Sequence, residues 1–149
     1  ITPAPTSCEG WPSRSLARVS VRTAAILDHH VAEALRPHGL TPTQHNVLRI
    51  LRGAGQAGLC GREVAERMVA RVPDVPRMLE RLEALGFITR ERDPDDRRHV
   101  TARITRRGLE LVERVRPGLE QLERARMGHL SERTLRALID GLAAVREAS

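Results

Sequence analysis

The sequence has 149 residues, the size of one domain with a single hydrophobic core, so two full domains are not expected. Basic side chains outnumber acidic ones by 25 to 19, for a formal net charge of +6, and every basic residue is an arginine. No apolar run reaches the roughly 18 residues of a membrane span, no signal-like segment opens the chain, and the 2 cysteines are far apart. These features exclude an integral membrane protein and a disulfide scaffold, and we expect a cytoplasmic chain.

The arginine surplus has two interpretations. Guanidinium groups bind phosphates and guanine edges as planar forks, which suits nucleic acid, whereas a GC-rich genome replaces lysine with arginine everywhere. Position helps to separate them, because residues 1–61 and 62–107 are net positive while residues 108–149 carry no net charge. With one Trp, one Phe and no Tyr, the chain is poorly suited to bind single strands by stacking.

The N-terminal part predicts a loose arm and two helices. Residues 1–12 contain three prolines and no periodicity, and are interpreted as the arm. Apolar residues then recur at helical spacing over residues 13–36. The next run, Thr41-Pro42-Thr43-Gln44, combines a Thr cap, a first-turn Pro and a Gln at the capping-box position, so a second helix starts there and ends at Gly53 and Gly55.

The middle of the chain predicts two short helices followed by a hairpin. The first helix covers about residues 62–69, and a tight connection leads to a helix from about Pro73 to Leu85. Strand-like residues 87–92, a turn and a returning strand over residues 99–105 form the hairpin. This order describes a winged helix-turn-helix, whose second helix enters the major groove of DNA.

The last third predicts two amphipathic helices, the first over about residues 106–127 and the second starting at the Ser131 cap. The predicted fold is therefore mainly α (α+β), a single domain over residues 13–149. Helices on both sides of a small winged unit need a partner surface to cover them, although closure of a monomeric core is the alternative. The predicted parts are a winged helix-turn-helix of about residues 41–105 and flanking helices of about residues 13–36 and 106–147.

Three side chains of the second short helix are candidates for contact with DNA. At about 100° per residue, Asp74, Arg77 and Arg81 fall within an arc of roughly 60°, opposite the apolar stripe of the same helix. Arg77 could fork onto guanine or onto a phosphate. The alternative is an ordinary solvated face, on which the two arginines pair with Asp74, Glu80 or other neighbours.

The hairpin tip adds a second group of candidates. Arg97 and Arg98 lie on a turn, which is the geometry needed to reach into a narrow minor groove. Asp96, two residues before Arg98, could hold that guanidinium in position. The alternative is a generic charged turn.

In the hairpin tip and in the helices before it, the sequence resembles the multiple-antibiotic-resistance regulator (MarR) family of winged helix-turn-helix transcription factors. The similarity extends over about residues 13–147, and its most specific part is the wing, Arg92-Asp93-Pro94-Asp95-Asp96-Arg97-Arg98, followed by Ile104-Thr105-x-x-Gly108. Two further stretches carry it, residues 40–51 and 77–88.

The resemblance implies a homodimeric, nucleoid-associated repressor that binds double-stranded DNA at a pseudo-palindromic operator and is released by a small molecule or an oxidant. It also implies that Asp96 orients Arg98 in the minor groove, and that the first helix and the last two helices interlock between subunits. The neutral charge of residues 108–149 agrees with a protein contact there.

One stretch departs from the family pattern. Pro73, Asp74 and Pro76 stand where the family often has Ser and Thr hydroxyls, and a carboxylate is repelled by phosphate unless it accepts from a cytosine amine. Base reading would then depend more on Arg77 and the wing. The same departure supports the alternative function, a winged-helix protein–protein interaction module with little DNA affinity.

The resemblance also implies an effector cleft near the point where the second helix meets the first. We expect His30, His45 and Arg49 to contact a small anionic or aromatic effector there. A metal site is not expected, because the adjacent His29 and His30 point about 100° apart on a helix and cannot easily face one ion.

Redox sensing and catalysis are both disfavoured. Cys8 lacks the tyrosines that support a reactive cysteine in this family, and Cys60 is interpreted as a small buried side chain. The chain contains no nucleophile-elbow serine, no Gly-rich phosphate loop and no HExxH motif. We therefore expect no enzyme, no catalytic residues and no cofactor.

Overall fold

The computed structural model describes residues 13–68, 74–92 and 100–147. The predicted arm, the connection before the second short helix and the hairpin tip with Asp96, Arg97 and Arg98 lie outside these residues. In chain order the elements are α1 (Ser13–Leu35), α2 (Pro42–Ala54), β1 (Leu59–Cys60), α3 (Gly61–Arg67), α4 (Val75–Ala84), β2 (Ile88–Arg92), β3 (Val100–Ile104), α5 (Arg106–Met127) and α6 (Glu132–Glu147). The predicted fold class, mainly helical with a winged helix-turn-helix, is confirmed.

Helix α2 begins as its sequence predicts. The Thr41 hydroxyl accepts a hydrogen bond from the Gln44 backbone N–H at 3.2 Å, and the Gln44 side-chain oxygen accepts one from the Thr41 N–H at 3.0 Å. Gly55, with φ at +60°, ends the helix in a conformation that favours glycine. This reciprocal cap fixes the N-terminus of α2 on the side of the molecule where α4 also begins.

Helices α3 and α4 are shorter than predicted. Helix α3 ends at Arg67 rather than near Val69, and α4 begins at Val75 rather than near Pro73. The later start has a local cause, because Asp74 is not helical and its carboxylate caps the helix by accepting from the Arg77 backbone N–H at 3.0 Å.

The sheet has three antiparallel strands in the order β1-β3-β2. The predicted hairpin is present as β2 and β3, with Arg90 opposite Ala102. Strand β1 was not predicted. It comprises only Leu59 and Cys60, which pair with Ala102 and Thr101 of β3 and so tie the start of α3 to the hairpin. Cys60 is half-buried rather than buried, because it lies at the turn into α3, where its backbone N–H donates to Glu63 at 2.8 Å.

The hydrophobic core joins the winged unit to α1 and α5. Its fully buried side chains come from α1, α2, α3, α4, β2 and β3, and Leu111, Val112 and Val115 of α5 pack against them. The largest of the fully buried side chains are Leu35, Leu48, Leu51, Leu82 and Ile88. Helix α6 contributes no buried residue.

Candidate nucleic-acid interface and ligand cleft

The outer face of α4 carries the three side chains that the sequence singled out. Asp74, Arg77 and Arg81 are exposed, while Val75, Leu79 and Leu82 on the opposite face are buried. The helix is therefore packed by its apolar stripe, and both arginines point away from the core.

The acidic residues of α4 are paired elsewhere. The Glu83 carboxylate accepts from Arg90 of β2 twice, from Nε at 2.8 Å and from the backbone N–H at 3.1 Å. Glu80 lies 3.7 Å from the Arg90 guanidinium. Arg77 and Arg81 make no ion pair with any described residue. Among the described residues, neither arginine is therefore paired to Asp74 or Glu80, while the face that carries them is solvent-exposed.

Arg90 is a residue that the sequence analysis missed. Its side chain is only 25% exposed, and its contacts join β2, the first strand of the wing, to α4. The alternation of the strand places Arg90 on one side of β2, which the sequence could have indicated. Its partners Glu80 and Glu83 follow only from the packing of α4 on β2.

Helices α2 and α4 together form a shallow basic groove, lined by Thr41, Thr43, Gln44, Asp74, Arg77, Met78 and Arg81. The N-terminus of α2, with its partial positive charge, lies at this groove, and two guanidinium groups rise from α4. The one carboxylate in the lining, that of Asp74, already accepts the Arg77 backbone N–H. The groove thus presents two guanidinium groups to an anion.

The base of the wing is braced by Arg103 of β3. Its Nη1 lies 2.6 Å from a Glu91 carboxylate oxygen on β2, and its Nε donates to the Gln56 carbonyl oxygen at 2.8 Å. These contacts hold the hairpin to the loop that follows α2.

A second concave site lies between α2 and α5, with a cavity volume of about 240 Å³. His45 and Arg49 line it, so the structure brings these two predicted residues together. His30 does not line it, because it lies on α1, where its ring contacts the Arg126 guanidinium of α5. The full lining is His45, Arg49, Arg52, Val112, Arg116, Leu119, Glu120 and Glu123.

The cleft has an apolar floor and charged walls. Val112 is buried, and Leu119 packs against the core cluster. Arg52 and Arg116 were missed by the sequence analysis, although Arg52, three residues after Arg49 on one helix, was predictable as its neighbour. The cleft therefore combines an apolar floor with three arginines and two glutamates in its walls.

Both histidines have lowered pKa values. Burial lowers the pKa of His45, and the positive charges of Arg49 and Arg52 lower it further. For His30, desolvation is again the first cause of the lowered pKa, followed by Arg126. A neutral His45 ring can exchange hydrogen bonds with a ligand without adding charge to the cleft.

Apolar side chains are exposed along two helices that flank the winged unit. On α1 they are Leu16, Val19, Val21 and Ile26, and on α6 they are Leu138, Ile139, Leu142 and Val145. Leu16, Val19 and Ile26 share one face of α1, as the four residues do on α6, and an exposed apolar face on an amphipathic helix needs a partner surface.

Two other kinds of site are absent from the parts of the chain that the structure describes. No group of three or more His, Cys, Asp or Glu side chains is placed to hold a metal ion there. None of the helices in those parts is both long enough and apolar enough to cross a lipid bilayer.

Comparison with known proteins agrees with this architecture. A model of the MarR family matches residues 40–100. The HTH-type transcriptional regulator YkoM of Bacillus subtilis is 31% identical over 103 residues, which are 69% of this chain and 66% of that protein. The match thus spans just under two thirds of that relative.

Two solved structures share the fold. A mutant of MarR from E. coli, crystallised with operator DNA, is 25% identical with a TM-score of 0.78, and the alignment covers 88% of this chain and 93% of that one. Bordetella bronchiseptica BpsR, whose DNA binding is regulated by 6-hydroxynicotinic acid, is 25% identical with a TM-score of 0.79, covering 89% of this chain and 99% of that one.

Proposed function

The chain belongs to the MarR family, and from this premise we propose that it is a homodimeric repressor of transcription that binds a pseudo-palindromic operator in double-stranded DNA. The related YkoM is an HTH-type transcriptional regulator, and the E. coli neighbour was crystallised with operator DNA. A protein with this function is associated with the nucleoid of the cell.

The observation that carries the proposal is the state of the α4 arginines. Arg77 and Arg81 are exposed, they have no ion-pair partner in the described residues, and the carboxylates of Glu80 and Glu83 lie at Arg90 instead. Together with the α2 N-terminus they form a cationic groove of the kind that binds the DNA backbone and guanine edges. We assign Asp96, Arg97 and Arg98 of the wing to the minor groove.

The uncovered helices support the proposed dimerisation. The apolar faces of α1 and α6 are covered when two copies interlock through these helices and α5. Such a dimer would present its two α4 helices to major grooves about one helical turn apart on one face of the duplex.

The cleft between α2 and α5 is proposed as the effector site. His45 and Arg49 would contact a small anionic or aromatic molecule, and its binding would release the DNA. His30 is placed at the α1–α5 contact and would act at the edge of this region rather than in the cleft.

The test is a fluorescence-anisotropy titration with duplexes from the protein's own upstream promoter region, against a scrambled duplex, at several salt concentrations. The double variant Arg77→Ala/Arg81→Ala should bind at least about tenfold more weakly, and its salt slope should fall by about 0.9 for each lost phosphate contact. The matched control is Arg133→Ala, an exposed arginine on α6 on the side away from the apolar residues.

Two results would contradict the proposal. Equal DNA affinity of the double variant and of the Arg133→Ala control would show that α4 does not contact DNA. Equally weak binding of the native protein to both duplexes would favour the protein–protein module instead.

A further inference from the structure

A further cleft lies between α4 and the hairpin, on the side of α4 away from α2. Its lining consists of Glu80 and Glu83 of α4, Arg90 and Arg92 of β2, and Val100 of β3. The cavity volume is about 280 Å³. Because this is several times the roughly 30 Å³ that one water molecule occupies, a phosphate group fits into the cleft.

The two arginines of this cleft come from one side of β2. Side chains alternate along a strand, so Ile88, Arg90 and Arg92 share the side of β2 that packs on α4. Exposure rises along this row, because Ile88 is buried, Arg90 is partly buried and Arg92 is exposed. The cleft therefore opens toward the end of β2, and Arg92 stands at its open end.

The same two arginines differ in their contacts. The Arg90 guanidinium lies between the two carboxylates of the cleft, with Nε 2.8 Å from Glu83 and Nη1 3.7 Å from Glu80. Arg92 makes no ion pair with any described residue. Arg90 thus neutralises the acidic wall of the cleft, and the Arg92 guanidinium is available to an anion from outside the protein.

Helix α4 continues this site beyond Glu80. The helix leads through a short turn directly into β2, so the two elements run in opposite directions along each other. The next residue on the Glu80 side toward the N-terminus of α4 is Arg77, three positions earlier. Exposed and unpaired guanidinium groups therefore follow the paired ones on both elements, toward the same open end of the cleft.

A DNA strand has to cross this open end if the winged unit binds as proposed. Helix α4 then lies in a major groove and the hairpin tip in the adjacent minor groove, and one sugar–phosphate backbone separates the two grooves. We propose that the cleft between α4 and the hairpin binds one phosphate of this crossing strand, and that Arg92 is the residue that binds it. The inference rests on the proposed function and adds to it a contact that is independent of base sequence.

The first test measures the affinity of Arg92→Ala by fluorescence anisotropy, with the promoter duplex and the scrambled duplex at several salt concentrations. Because a phosphate contact is lost, affinity should fall about three- to tenfold on both duplexes. The salt slope should fall by about 0.9 for each subunit that contacts the duplex. Arg92→Lys should keep most of the affinity, since an ammonium group also binds phosphate. The control Arg133→Ala, on exposed α6, should match the native protein.

A second test locates the phosphate. A neutral methylphosphonate linkage, placed at one position after another along the promoter duplex, removes one phosphate charge at a time. At the phosphate that Arg92 binds, the native protein should lose affinity while Arg92→Ala shows no further loss. At every other contacted phosphate the two losses should add, because the sites are independent.

Three outcomes would overturn the inference: an Arg92→Ala variant that behaves like Arg133→Ala, a loss confined to the promoter duplex, or losses that add at every methylphosphonate position. Failure of the proposed function is distinguishable. If Arg92→Ala weakens binding to both duplexes but the native protein does not prefer the promoter duplex, the phosphate site stands and the sequence-specific regulator does not. If Arg77→Ala/Arg81→Ala weakens binding and Arg92→Ala does not, the regulator stands and the phosphate site does not. A native protein that binds neither duplex would overturn both.

Discussion

Gly58 offers a sharp test of the strand that the sequence did not predict. Its φ is +68° with ψ at −174°, a region of backbone conformation that is essentially restricted to glycine and costs about 1–3 kcal/mol for other residues. An alanine Cβ would lie 2.6 Å from the Ala102 carbonyl oxygen and 2.7 Å from Cγ of Arg103. Because the closest atom is backbone of the central strand, it cannot swing aside, and overpacking adds about 1–3 kcal/mol. We expect Gly58→Ala to lower the free energy of unfolding by about 2–6 kcal/mol, the sum of the two contributions.

The assay is urea or thermal unfolding at one fixed protein concentration, since dimerisation makes stability depend on concentration. For a chain of this size, each kcal/mol should lower the Tm by roughly 2–4 °C. The control is Gly53→Ala in the last turn of α2, where an added Cβ meets no atom within 4 Å and the φ is not positive. That variant should gain about 0.5–1 kcal/mol, because alanine is the better helix former. A loss below 1 kcal/mol in Gly58→Ala would refute the close approach of β1 to β3.

Three further predictions concern the other contacts that hold the site. Gly108→Ala should destabilise the protein by about 1–3 kcal/mol in urea unfolding, because its Cβ would overlap the Phe87 carbonyl oxygen, whereas Gly118→Ala, with open space around it, should not. Asp74→Ala should lower the free energy of unfolding by about 1 kcal/mol, because the helix cap is lost. Asp74→Ser should keep the cap and bind DNA more tightly than the native protein, because it removes a negative charge from the groove. Weaker DNA binding by Asp74→Ser would instead support a base contact by Asp74. Burial lowers the pKa of His45 below 6.5 in the folded state, so the unfolded chain binds the proton first and the free energy of unfolding should fall as the pH drops below 6.5. The Tm of His45→Gln should fall less over the same pH range. Equal dependence of Tm on pH in the two proteins would contradict the burial of the ring.

Local signals explain which parts of the fold were predictable. The start of α2 was correct because Thr41 and Gln44 cap the helix through residues three apart, with no help from the rest of the chain. Helix α5 was predicted over the residues it occupies, because Thr105 caps it and its apolar spacing is regular. The start of α4 was predicted two residues too early. The prolines around Asp74 indicate that a helix begins there but do not identify the capping residue.

Contacts between distant residues explain what was missed. Strand β1 has two residues, too few for a periodic pattern, and exists because Leu59 and Cys60 pair with a strand about forty positions later. The cleft has the same origin. His45 and Arg49 are neighbours on one helix and could be predicted together, but Arg116 joins them only through the packing of α5 on α2.

The roles of the arginines likewise depend on contacts that the composition does not reveal. A surplus of arginine is compatible with a genome bias and with DNA binding, because composition gives no information on which guanidinium groups are neutralised. The structure separates them: Arg90 takes up the acidic side chains beside α4, and Glu113 takes up Arg52 and Arg116 in the cleft. The cations left without such partners include those of the α4 groove, next to the N-terminus of α2. An arginine is therefore available to a ligand where the fold places no carboxylate beside it. This is why replacing the Asp74 carboxylate tests the α4 groove as directly as replacing an arginine does.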